Sequence, residues 1–111
     1  MSRDDSHSPS VLGARLRQRR EELGWSQEKV GVAIGIDESS SRTRISRYES
    51  GIHEPPVAIA MLLAEALKVP LAYLYCVEDD VAELLSVLYG LPESVRKRNA
   101  SALVDRLRVG G

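Results

Sequence analysis

The chain has 111 residues, 43% of them hydrophobic, which suits one domain with a buried core. Four Tyr, one Trp and no Phe make that core aliphatic, and a net charge of −1 means that any attraction to a polyanion must be local. One Cys excludes an intramolecular disulfide, no apolar run approaches a membrane span, and MSRDDSHSPS lacks the apolar stretch of a signal peptide, so a cytoplasmic chain with no membrane contact is expected.

The elements follow in chain order. Residues 1–9 are polar and include Pro9, and a flexible tail is expected there. SVLGARLRQRREELG reads as a helix: Leu12, Leu16 and Leu23 fall near one stripe and Gly24 stops it. WSQEKVGVAIG reads as a short second helix, with Ser26 as N-cap and Gly35 just past its end. EPPVAIAMLLAEALKVP is a further helix, with Pro56 in its first turn and Pro70 after its end. EDDVAELLSVLYG begins with acids that favour a helix N-terminus and stops at Gly90; LPESVRKRNASALVDRLRVGG starts at Pro92 and runs basic. No run alternates as a strand would, so the chain is all-α, with five or six helices.

Charge is segregated along this order. Five Arg lie between Arg3 and Arg20, and three more at positions 42, 44 and 47. Residues 55–90 hold one Lys against five acids, and residues 91–111 hold five basic residues against two acids. In IGIDESSSRTRISRYESG, Ile45 and Tyr48 are three apart and define the buried side of a helix. Thr43 and Arg47 then point away from that side, and Arg42 and Arg44 take opposite flanks. Such a ridge can meet DNA, because Arg pairs bidentately with guanine while flanking Arg residues reach phosphates. The bland alternative is a solvated arginine-rich helix. A short helix, a Gly-containing turn and this segment make a helix-turn-helix order.

LGARLRQRREELGWSQEKVGVAIGI, RISRYESGIHEP and LLAEALKVPLAYLY together resemble the phage lambda repressor and Cro family, the xenobiotic-response-element type of helix-turn-helix regulator, over residues 12–75. The resemblance implies a compact five-helix DNA-binding domain over residues 10–77. It makes Gln27 a DNA-backbone contact, and Arg20 with Glu49 a salt bridge beneath the recognition helix. Leu16, Val30, Ile34, Ile36, Ile45, Tyr48, Val57, Leu63 and Leu67 match its core. Two departures stand out, besides Gly31 where the family usually has Ala. Arg19 occupies a position that is commonly apolar. Eight residues, Asp37 to Arg44, also stand where about four are usual. Either Asp37 or Ser39 caps a recognition helix lengthened by about one turn, or the turn is longer and the helix begins near Ser41.

The expected reading is a DNA-binding transcriptional regulator, a repressor, that places the helix around residues 38–49 in the major groove. Its DNA-facing set is Ser26, Gln27, Ser40, Ser41, Arg42, Thr43, Arg44, Ser46, Arg47 and His53. Residues 78–111 carry two apolar stripes, Val81-Leu84-Leu85-Leu88 and Val95-Ala102-Leu103-Leu107, as expected of a helical hairpin. That hairpin is the expected homodimer interface, since one such domain covers only a half-site. The rival reading is an antitoxin or protein-interaction module that uses the same fold to hold a protein partner. No metal-ligand spacing or catalytic constellation appears, so no enzyme activity, metal or cofactor is expected.

Overall fold

A computed structural model describes residues 10–110, which form α1 (Val11–Glu22), α2 (Gln27–Ala33), α3 (Glu38–Ser50), α4 (Val57–Leu67), α5 (Leu71–Leu74), α6 (Asp79–Tyr89) and α7 (Glu93–Gly110). The tail expected over residues 1–9 lies outside the described residues. The all-α expectation holds, with no strand among the described residues. The count is seven rather than five or six because LAYL after Pro70 forms its own short helix.

Local chemistry sets the ends. The Ser10 hydroxyl accepts from the Gly13 N–H at 3.0 Å to start α1, and the Ser26 hydroxyl accepts from Lys29 N–H at 3.0 Å to start α2. Gly24 and Gly35 adopt φ of 71° and 93° past the ends of α1 and α2, a region that favours glycine. Pro56 is the N-cap of α4 rather than a residue of its first turn.

The core joins α1, α2, α3, α4 and α5: Leu12, Leu16, Val30, Ile45, Leu63, Leu67 and Leu74 are at most 1% exposed. Ile34 and Ile36 pack against it only partly buried. Val57, expected in this core, is 59% exposed, because the inward face of α4 runs through Ala60, Leu63, Ala64 and Leu67. Helix α4 has a single charged residue, Glu65, so its outer face also carries exposed Met61 and Leu62.

Two arginines of α1 tie the helices together. The Arg19 Nε donates to the Leu67 carbonyl at 2.8 Å, capping the C-terminus of α4, which is what an Arg at that usually apolar position does here. Arg15, 5% exposed, donates to the carbonyls of Cys76 (2.8 Å) and Val77 (3.2 Å) and pairs with Asp79 at 3.0 Å. It thereby fixes the joint between α5 and α6. Beyond that joint only Ala82 is buried, and α7 has no buried residue. The radius of gyration, 15.9 Å, exceeds the roughly 13 Å of a compact chain of this length, so the hairpin adds little to the common core.

Candidate nucleic-acid interface

The recognition helix is lengthened at its N-terminus: α3 begins at Glu38, and the Asp37 carboxylate accepts from the Ser39 N–H at 3.2 Å. The longer-turn alternative is thereby overturned. Hydrogen bonds from Ser39 hold the Asp37 carboxyl below its ordinary range, as suits an ionised N-cap.

One face of α3 is buried through Ser41, Ile45, Tyr48 and Glu49. At about 100° per residue, Ser40, Thr43 and Arg47 lie opposite that face, and all three are exposed. Thr43, Arg44 and Arg47 border a shallow groove on one flank, with Ser39 and Ser40. Arg42 and Ser46 border a second groove on the other flank, where they face Arg17, Ser26 and Gln27. The ridge of α3 is therefore basic on both sides. His53 is exposed just past the helix, and its backbone N–H donates to the Arg47 carbonyl at 3.2 Å.

Ser41 does not belong to this surface. It is fully buried, and its hydroxyl donates to the carbonyls of Asp37 (2.9 Å) and Ile36 (3.1 Å). It meets Gly31 of α2 so closely that a Cβ on Gly31 would lie 2.6 Å from the Ser41 Oγ and 2.8 Å from its Cα. The hydroxyl is spent on the backbone, and the glycine makes room for the extra helical turn.

Beneath the ridge, Arg20 and Glu49 form a two-pronged pair, Nε to Oε2 at 2.6 Å and Nη2 to Oε1 at 3.2 Å. Arg20 also donates to the Trp25 carbonyl at 2.9 Å. The hydrogen bond to Glu49 raises the Arg20 pKa against the opposing effect of burial. Gln27 donates its side-chain amide to the same Glu49 carboxylate at 3.0 Å. One carboxylate thus holds the end of α1, the start of α2 and the end of α3 in register, and aims Gln27 beside Arg42 and Ser46.

Several residues of this region escaped the sequence reading. Arg17 lines the second groove although only the Arg20 end of its helix was singled out. Glu28 and Glu38 meet across α2 and α3: a hydrogen bond and the like charge of Glu38 raise the Glu28 pKa, while Arg42 pulls it down. That acidic pair limits the basic surface at the start of α3. Arg15 lies in the Leu12-Leu16-Leu23 stripe as Arg19 does, and its place among these leucines was the available signal. Among the described residues no cluster of three or more His, Cys, Asp or Glu is placed to hold a metal ion, and no helix is long and apolar enough to cross a membrane.

A short helix, a tight turn at Gly35 and a basic recognition helix define a helix-turn-helix unit. The helix-turn-helix family profile matches residues 16–74, and the chain belongs to that family of lambda-repressor-like, xenobiotic-response-element-type transcriptional regulators. It is 33% identical over 64 residues to an uncharacterized HTH-type transcriptional regulator of Sinorhizobium medicae (strain WSM419), covering 58% of this chain and 43% of that protein. A second such regulator, of Sinorhizobium fredii (strain NBRC 101917 / NGR234), is 32% identical over 75 residues, 68% of this chain and 48% of its own length. The chain thus spans less than half the length of these relatives. The crystal structure of transcriptional regulator BswR superposes with a TM-score of 0.78 at 36% identity, over 89% of this chain and 98% of that one.

Proposed function

We propose that this chain represses transcription by occupying a duplex operator, with α3 in the major groove. The observation that supports this is the exposed ridge of Ser40, Thr43 and Arg47 with Arg42 and Arg44 on its two flanks. In this reading Arg47 and Thr43 contact base edges. Arg42, Arg44, Gln27, Ser26, Ser46 and His53 hold the backbone, where phosphate contacts fix the register of the helix. Repression by occupancy requires nothing of the protein beyond the DNA contact.

Two copies bind together, joined through α6 and α7, so that two ridges reach successive major grooves. The exposed Val81, Leu84, Val104 and Leu107 of these helices favour that arrangement. Selection from a random duplex pool tests the reading. An enriched site with half-sites about 10 base pairs apart is expected, with affinity that falls steeply as salt rises. No enrichment, or binding indifferent to salt, would instead support a protein-interaction module.

A further inference from the structure

Between α1 and α6, away from the basic ridge, lies a polar cavity. Gln18 and Glu22 of α1 form one wall, Asp79, Glu83 and Ser86 of α6 the other, and Tyr73 of α5 lies between them. The residues of each wall recur at helical spacing, so each set lies along one face of its own helix.

Tyr73 is 1% exposed, and its hydroxyl has no hydrogen-bond partner among the described residues. Buried hydroxyls are nearly always paired, so an orphan one in the wall of a cavity points to something the cavity receives. Burial raises the Tyr73 pKa, Glu22 raises it further, and Arg15 and Arg19 lower it. The hydroxyl therefore sits within electrostatic reach of the Glu22 wall.

The charges of the cavity do not balance. Asp79 pairs with Arg15 at 3.0 Å and Glu22 with Arg19 at 3.3 Å. Glu83 has no cationic partner among the described residues. One negative charge is left over, in a lining of hydrogen-bonding groups. A lining of carboxylate, amide and hydroxyl oxygens is a set of acceptors, and its complement is an organic cation with several N–H donors.

We propose that this cavity binds a small organic ammonium ion, which donates to the Glu83 carboxylate and to the Tyr73 hydroxyl oxygen and ties α6 to α1. The regulatory consequence rests on the DNA-binding reading above. Helix α6 is the first half of the hairpin proposed to join two copies, so a ligand fixing α6 against α1 sets the separation of the two recognition helices.

Isothermal titration of the full chain with ethanolammonium and with putrescine tests the site, with tetramethylammonium, which has no N–H, as control. The expected result is saturable binding of at least one amine, none of tetramethylammonium, and about tenfold weaker binding in Glu83→Gln from loss of the charge-assisted hydrogen bond. No saturable binding at millimolar concentration, equal binding of tetramethylammonium, or unchanged binding in Glu83→Gln overturns the proposal. Tyr73→Phe gives a second readout without ligand. Deleting an unpaired buried hydroxyl leaves the melting temperature unchanged or raises it, whereas a fall means the hydroxyl is already satisfied by water and overturns the proposal. These titrations contain no DNA, so failure of the site and failure of the DNA reading are separate results.

Discussion

The first five helices and the last two solve the burial problem differently. Helices α1 to α5 surround one core, and each buried charge there has a partner: Arg15 finds carbonyls and Asp79, and Glu49 finds Arg20 and Gln27. Helices α6 and α7 bury Ala82 alone and leave Leu84, Val104 and Leu107 between 43% and 62% exposed. At 1.5 Å per residue, α7 is about 27 Å long and α6 about 16 Å, so the last turns of α7 extend past the helix it packs on. The contrast separates the part of the sequence that buries the core from the part that leaves apolar surface uncovered. The first part closes its core within one chain. In the dimer proposed above, the second supplies the surface that meets another copy.

The sharpest test of this contrast is Glu49→Ala. It strands the Arg20 guanidinium and frees Gln27, and a cost of about 3–5 kcal/mol is expected for breaking such a pair. Thermal and denaturant unfolding check it; full stability with lost DNA binding would make Glu49 a surface contact instead. Next comes Arg15→Ala, at the joint. Losing charge-assisted hydrogen bonds to two carbonyls is expected to cost about 1.5–3 kcal/mol. It should also loosen α6 and α7 before the core, as hydrogen exchange would show. Arg47→Ala lies on the complete half yet touches none of its core. It is expected to lose about 1–3 kcal/mol of operator affinity and relax one base position, with unfolding unchanged; unchanged preference would break the proposed register.

Smaller effects on the fold come from the incomplete half. Leu107→Glu is expected to change monomer stability by no more than about 0.5 kcal/mol, but to shift the mass by light scattering from dimer to monomer. A dimer that survives this change moves the interface elsewhere, with the exposed face of α4 next in line. The smallest effect concerns acid. The folded Asp37 pKa is depressed by Ser39, so its contribution is present above the ordinary aspartate range and is lost as pH falls through the folded value. Asp37→Asn should keep the cap at neutral pH and flatten that acid-side loss in thermal melts.

The signals that made the fold legible were local. Ser26, Gly24 and Gly35 announce helix ends through chemistry that acts within a few residues. The unusual spacing before Ile45 was visible as well, but Asp37, Ser39 and Ser41 are all competent caps, so nothing local chose among them. The choice came from packing, where Gly31 admits the additional turn against α2. Val57 was misplaced because α4 is apolar on every side, which leaves no stripe to orient it. Ser41 was misplaced because a serine beside arginines looks solvated until its hydroxyl is seen turned into the backbone. The grooves flanking α3 were out of reach for a different reason. Each joins residues from separate helices, and the placing of Arg17 beside Arg42 depends on how α1 meets α3.

The contact between Gly31 and Ser41 bears on how a regulator of this kind can acquire a new operator. The outer positions of α3, at Ser40, Thr43 and Arg47, are exposed and can be exchanged without disturbing the interior. The inner position cannot. With the Ser41 Cα only 2.8 Å from where a Gly31 Cβ would stand, neither residue can grow unless the other recedes. A recognition helix transplanted from a relative with the shorter spacing would find an empty slot beside Gly31. This helix moved onto a relative with alanine there would collide with it. If α3 reads bases as proposed, sequence preference can drift one base at a time through the outer residues, but a change in the length of α3 must arrive together with its partner in α2.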